Sequence, residues 1–264
     1  MMQDILMTTG ILALLGILAG ILLTAVSEAL TVPENEVKQA ARDILPGANC
    51  GACGYSGCDG YAEALSEGLQ EINLCTPGGN DTAKALSELL DIPFESVERK
   101  IATVRCRGHL NTTDYIMEYI GPKTCYACTR FYNGRRRCSY ACLAFGDCER
   151  ACPYGAIHVT ENHVAYVDPE ICTGCGMCAE ACPAGLIKIH HANARVFVTC
   201  SSHDKGGFTR KLCENGCIGC GKCLRICPHD AIVLNENLAY VDEDKCQNCG
   251  ACLEVCPTNA IHAV

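Results

Sequence analysis

Tryptophan is absent and aromatic residues make up only 6% of the chain, so the large rings that usually fill a core are scarce. Something else must hold the fold together. Basic charge is also in deficit, since 21 Lys and Arg face 30 Asp and Glu for a formal net charge of -9. That balance argues against nucleic acid as a partner, because phosphate binding rewards a basic face. No haem-attachment signature accompanies the eight histidines, which read as structural or solvent-facing. No flavin-attachment motif or catalytic triad is visible, so no catalytic residues are assigned. The closest approach to a dinucleotide fingerprint, Gly51, Gly54 and Gly57, has the wrong spacing and is interrupted by cysteine.

What the chain has in abundance is cysteine, 25 in 264 residues. A disulfide scaffold, zinc sites and iron–sulfur clusters compete to explain that count, and spacing separates them. An odd number rules out complete pairing within one chain. Metal ligation supplies the missing cohesion, because cluster binding free energy becomes folding free energy.

Three runs share one pattern: Cys172, Cys175, Cys178 and Cys182-Pro183; Cys217, Cys220, Cys223 and Cys227-Pro228; Cys246, Cys249, Cys252 and Cys256-Pro257. Three cysteines so spaced wrap one corner of a [4Fe–4S] cubane, whereas a zinc site uses two separated pairs. A looser copy, Cys138, Cys142, Cys148 and Cys152-Pro153, has longer first gaps, but its context repeats with a period near 75 residues. The segment from Cys152 through Ala156-Ile157 to Ala165-Tyr166-Val167-Asp168 returns as Cys227 through Ala231-Ile232 to Ala239-Tyr240-Val241-Asp242. Short apolar runs at 156–159 with 164–167, and at 231–234 with 238–241, predict strand pairs, and short helices follow each third cysteine. By analogy with two-cluster ferredoxins, the fourth cysteine crosses to the other cluster. Cys138, Cys142 and Cys148 then join Cys182, and Cys172, Cys175 and Cys178 join Cys152. In the second module Cys217, Cys220 and Cys223 join Cys256, and Cys246, Cys249 and Cys252 join Cys227.

Upstream, Cys50, Cys53 and Cys58 lie in a glycine-rich string and Cys75 follows, between flanks at 37–45, 61–72 and 82–90 with helical apolar spacing. This predicts a small helical domain around a fifth [4Fe–4S] cluster, with a structural zinc site on the same thiols as the alternative. Cys106, Cys125, Cys128, Cys200 and Cys213 remain. They are either buried inert thiols, or Cys106, Cys125 and Cys128 contribute with one other residue to a sixth cluster or zinc site. The run Arg135-Arg136-Arg137 reads as a solvated turn or as a patch that steers an acidic partner.

The first thirty residues are different material. Ile5 to Val26 is a run of 22 uncharged residues between Asp4 and Glu28, roughly 33 Å as a helix, which predicts a membrane anchor. A signal peptide is the rival, but the positive n-region is missing and the run is too long. Lys38 and Arg42 follow the span and no Lys or Arg precedes it, so the cysteine-rich part is expected in the cytoplasm. The fold class is therefore α+β: a transmembrane helix (1–30), a helical cluster domain (31–99), a connecting segment (100–137), a two-cluster ferredoxin module (138–190), a second connector (191–212) and a second module (213–264).

The anchor, the string Asn49-Cys50-Gly51-Ala52-Cys53-Gly54-Tyr55, Val104-Arg105-Cys106, the string 198–206 and the ferredoxin motifs together resemble the B subunits of Rnf ion-translocating electron-transport complexes. The resemblance covers the whole chain and has the longer form typical of anaerobes. It implies a component of an inner-membrane ferredoxin:NAD+ oxidoreductase that exchanges electrons with soluble ferredoxin and relays them toward NAD, coupled to Na+ or H+ transport. Other members of the complex are then its partners, and the NAD site lies on one of them. A membrane-bound polyferredoxin serving a hydrogenase or dehydrogenase is the alternative, and a redox-inert zinc protein a further one.

Overall fold

The computed structural model describes residues 2–29 and 35–263. Helix α1 (Met2–Ala29) carries the apolar run, and its segment Thr9–Ser27 is long and apolar enough to cross a bilayer while none of it is buried in the protein. A helix apolar on every side needs a nonaqueous surrounding, and here the protein does not provide it. The side chains of the flanking charges Asp4 and Glu28, and the expected boundary at residues 30–31, lie outside the described residues.

Three helices follow: α2 (Glu36–Ile44), α3 (Cys58–Ser66) and α4 (Gly79–Leu90). Asn35 caps α2 by accepting from the backbone amides of Val37 and Lys38. Ala41, Leu45, Tyr61, Leu65, Ile72 and Leu86 form the core of this unit, and the Tyr61 hydroxyl donates to the Glu71 carbonyl at 2.7 Å. Helix α3 stops well short of Ile72, because Gly68 turns the chain at φ 108°, a conformation open to glycine.

The remainder is short strands and helices: β1 (Lys100–Val104), α5 (Cys125–Tyr132), α6 (Asp147–Ala151), β2 (Ile157–Val159), β3 (Ala165–Val167), α7 (Met177–Glu180) and β4 (Ile187–His191). A second set comprises β5 (Val196–Val198), α8 (Gly206–Leu212), α9 (Lys222–Ile226), β6 (Ile232–Asn235), β7 (Leu238–Val241), α10 (Ala251–Glu254) and β8 (Ile261–Ala263). All pairing among these strands is antiparallel. In the first set β2 pairs β3 (Ile157 opposite Val167) and β1 pairs β4 (Lys100 opposite His191). In the second β6 pairs β7 (Ile232 opposite Val241) and β5 pairs β8 (Val196 opposite Ala263). The inner hairpins match the expected strands. The outer pairs differ from expectation, because the two segments read as connectors each supply a strand, β1 and β5, that closes a module. Each module has its own core, built from Ile101, Ile157 and Ile187 in one and Val196, Ile232 and Ile261 in the other, and both cores include cysteines.

Candidate iron–sulfur cluster sites

The backbone explains why the cysteines recur at these spacings. Two residues before the third cysteine of each run stands a glycine in the left-handed region: Gly146, Gly176, Gly221 and Gly250, with φ from 68° to 84°. Each starts the short helix that carries the third thiol, Cys148, Cys178, Cys223 or Cys252. After each Cys-Pro a second left-handed residue turns the chain into a strand, and it is Gly155, Gly185, Asp230 or Asn259, residue types that tolerate positive φ. The turn brings an amide back onto the cysteine sulfur: Leu186 to Cys182 at 3.5 Å, Ala231 to Cys227 at 3.4 Å and Ala260 to Cys256 at 3.3 Å. Such donors neutralise sulfur charge and help to set a cluster's potential.

The thiols gather into separate groups. Cys50, Cys53, Cys58 and Cys75 line one space of about 300 Å³, counting its open mouth. Asn49 orders this loop, accepting from the Cys58 amide at 2.9 Å. Burial pushes the Cys75 thiol up to about 11, with the sulfurs of Cys58, Cys50 and Cys53 adding to the rise. Cys217, Cys220, Cys223 and Cys256 line a second space of about 350 Å³. Cys178, pushed up to about 12 by burial, also feels Cys172, Cys175 and Cys152. Cys252, raised by burial, feels Cys246, Cys249 and Cys227. The last three of these groups contain the cysteines that crossed ligation would bring together.

The looser run is different. The space of about 380 Å³ bordered by Cys142, Cys148 and Cys182 is completed by Cys125 from α5, and Cys138 does not line it. The turn glycines show the reason. Placing Gly146 on Gly176 aligns Cys142 with Cys172, Cys148 with Cys178 and Cys152 with Cys182, and it sets Phe145 where the standard run has Cys175. Ala144, at φ 58°, takes the place of Gly174 at φ 68°. The run is thus a standard motif whose middle cysteine is phenylalanine, not one with stretched gaps. Cys125 is the fourth thiol at that space: its amide donates to Asp147 Oδ1 at 2.9 Å, and the backbone amides of Asp147 and Phe145 lie against its sulfur. Aligning the run on its last two cysteines would have revealed this from sequence.

Cys138 faces elsewhere, into a space of about 350 Å³ that it shares with Cys106, Cys200 and Cys213. The expected grouping of Cys106 with Cys125 and Cys128 does not form around one space. Cys128 is wholly buried in α5 and lines none of these spaces, as an inert core thiol would. All the cysteines are free thiols.

The arginine run is neither a solvated turn nor a free basic patch. Arg136 is only 3% exposed and donates to the carbonyls of Gly108 and His163. Arg135 donates to the Leu143 carbonyl at 2.9 Å and lies 4.1 Å from the Phe145 ring centroid. Arg137 is largely exposed, paired with Asp114 at 3.4 Å.

Residues 45–77 match the family described as "Putative Fe-S cluster", and residues 136–186 and 216–260 match a "4Fe-4S dicluster domain". A second family of that description matches 171–232, across the two modules, but the strand pairing stays within 136–186 and its flanks and within 216–260 and its flanks. Fold and thiol groups define an electron carrier of the polyferredoxin class, built from [4Fe–4S] domains behind an apolar helix. The chain is 38% identical over 245 residues to the B subunit of the Na(+)-translocating ferredoxin:NAD(+) oxidoreductase complex of Acetobacterium woodii, covering 93% of this chain and 74% of that one. It is 37% identical over 235 residues to the B subunit of the ion-translocating oxidoreductase complex of Methanosarcina acetivorans, covering 89% of each. It is 38% identical over 244 residues to the B subunit of the proton-translocating ferredoxin:NAD(+) oxidoreductase complex of Clostridium ljungdahlii, covering 92% of this chain and 86% of that one. The chain belongs to the family of B subunits of Rnf ion-translocating oxidoreductase complexes.

Proposed function

We propose that this protein accepts electrons from soluble ferredoxin and passes them toward partner subunits that reduce NAD, in a complex that moves Na+ or H+. Helix α1 crosses the membrane once and holds the cysteine-rich part on the cytoplasmic side. The reading assigns five clusters to Cys50/Cys53/Cys58/Cys75, Cys152/Cys172/Cys175/Cys178, Cys125/Cys142/Cys148/Cys182, Cys217/Cys220/Cys223/Cys256 and Cys227/Cys246/Cys249/Cys252. When bound, a [4Fe–4S] cluster takes up and releases one electron at a time.

The observation that carries the reading is the succession of thiol groups. Cys50, in the helical unit, feels the charge of Cys175 in the first module, and Tyr154 lies among Cys175, Cys50, Cys75 and Cys58. At the other end Cys220 and Cys249 are exposed, as a soluble redox partner requires. The chain's own residues do the rest. Cysteines fix the positions, amides from the Cys-Pro turns compensate sulfur charge, and burial keeps water from most of the thiols.

The test is anaerobic mixing of the purified protein with reduced ferredoxin, following the visible absorbance and EPR of its clusters. Bleaching at catalytically useful rates supports the reading. A protein that stays oxidised with ferredoxin, and that copurifies with a hydrogenase or dehydrogenase rather than with integral membrane subunits, would overturn it in favour of a polyferredoxin for another enzyme.

A further inference from the structure

The hydroxyl of Tyr154 is buried where the helical unit meets the first module, and among the described residues it has no hydrogen-bond partner. We propose that this hydroxyl donates to a sulfur of the cluster held by Cys50, Cys53, Cys58 and Cys75, so that a residue of the ferredoxin module sets the potential of the helical unit's cluster. The inference rests on the cluster reading above and adds to it a determinant of potential that lies outside the cysteines themselves.

The placement follows from the turn after the last cysteine of the run. Tyr154 comes directly after Cys152-Pro153, as Ala184, His229 and Thr258 come after the other three Cys-Pro pairs. Gly155, Gly185 and Asn259 close such turns by donating to the carbonyls of Cys152, Cys182 and Cys256, at 3.5, 3.0 and 3.4 Å. A side chain at this place can reach a ligand sulfur, since Thr258 Oγ1 lies 3.9 Å from Cys256 Sγ. Tyrosine is longer and extends past its own run. The thiols whose charge it feels are Cys175, Cys50, Cys75 and Cys58, and three of those four belong to the helical unit.

The junction is tied from both sides. Asn80 in α4 accepts from the Val97 amide at 2.8 Å, and Arg99 donates to the Pro169 carbonyl at 2.8 Å. The chain then passes so close to the loop carrying Cys175 that a Cβ on Gly174 would sit 2.5 Å from the Lys100 carbonyl oxygen. A buried tyrosine hydroxyl ordinarily finds an acceptor. Tyr61, which feels Cys75 and Cys53 from inside the helical unit, does so by donating to the Glu71 carbonyl at 2.7 Å. Tyr154 has sulfur around it instead. A tyrosine hydroxyl is protonated at neutral pH and can donate. A donor to cluster sulfur favours the reduced, more negative state and so raises the potential. The potential of this cluster relative to that of its neighbour in the first module fixes where an electron shared by the two units settles.

The test is a potentiometric titration followed by EPR on the full-length protein, purified anaerobically, comparing the wild type with Tyr154→Phe, which keeps the ring and removes only the O–H. The helical unit's cluster is identified as the signal missing from Cys50→Ala/Cys58→Ala. In Tyr154→Phe the potential of that cluster is expected to fall, by up to about tenfold in its electron-sharing equilibrium, or about 59 mV for one electron, with the iron content unchanged. Proton ENDOR of the same cluster is expected to lose one exchangeable coupling. An unchanged potential, or a fall confined to another cluster, overturns the proposal, because a hydroxyl that is merely buried affects stability and not that potential. Should Tyr154→Phe fail to accumulate with full iron, Tyr154→Met, which fills the space without a donor, is read in the same way. Failure of the underlying reading looks different: the wild type itself then holds little iron and little sulfide.

Discussion

Replacing Cys125 with alanine tests a proposed ligand that lies outside the ferredoxin run, and the register of that run supplies a specific rescue. Phe145 occupies the position that Cys175 holds in the companion motif, so Cys125→Ala/Phe145→Cys puts a thiol midway between Cys142 and Cys148 and rebuilds the standard spacing. The single variant is expected to lose iron, up to one cluster's worth of about four atoms per chain. The double variant is expected to regain it. Its stability should not return in full, because the Phe145 ring packs 5.4 Å from Tyr119 and lies beneath Arg135. Losing a half-buried ring and a cation–π contact costs about 1–3 kcal/mol. Anaerobic iron and sulfide analysis, EPR of the reduced protein and a thermal melt report metal content, cluster type and stability separately. Full iron in Cys125→Ala would refute the ligand assignment, and a folded double variant with no more iron than the single one would refute the register.

Arg136→Ala is expected to destabilise the protein by about 3 kcal/mol, since hydrogen bonds from a buried charged group to carbonyls are lost, while Arg137→Ala changes stability by less than about 0.5 kcal/mol; denaturant titration compares them. Asp147→Ala uncouples α5 from the first module by removing the acceptor of the Cys125 and Tyr126 amides, each at 2.9 Å, and should cost about 1–2 kcal/mol and loosen the iron held with Cys125, read by chelator challenge. Burial pushes Cys138, Cys148 and Cys178 up to about 12, so in the iron-free chain these thiols are protonated at neutral pH and binding must release their protons. Apparent iron affinity should therefore rise with pH from about 6 to about 9, with measurable acid release during anaerobic reconstitution in weak buffer; a pH-independent affinity would contradict it. Deleting residues 2–29 should move the chain from the membrane fraction to the soluble fraction without reducing its iron content.

Much of this was legible in the residues because cluster motifs are local: a run with cysteines three apart and a closing Cys-Pro fixes its own turns. The inner hairpins, the short helices at the third cysteines and four of the thiol groups needed nothing beyond spacing and the two-cluster analogy. Thiols brought together from distant parts of the chain left no such mark. Cys125 lies 17 positions before the first thiol of the run it completes, and Cys106 and Cys200 are separated by nearly a hundred, so neither has a spacing to read. The loose run misled for a definite reason. Cys138 happened to precede Cys142 and invited counting forward from it, whereas the turn glycine at 146 and the Cys-Pro at 152 anchor the register from behind. The outer strands β1 and β5 were missed because three to five residues of β-branched and apolar character, without a hairpin partner nearby, carry no periodic signal. The arginine run looked solvent-facing because charge usually is; here the backbone carbonyls that receive Arg135 and Arg136 are contributed by residues 8 to 28 positions away.

The exposed thiols Cys220 and Cys249 lie in the C-terminal module of a chain whose other cysteines are buried or half-buried. Where sulfur meets solvent, oxygen does too, and oxidation of cysteine follows accessibility. Air should therefore dismantle the protein directionally, stripping the C-terminal module first while the interior groups still hold their metal. The opening proposed above as the approach of a soluble donor is then also the place where the protein is expected to begin to fail.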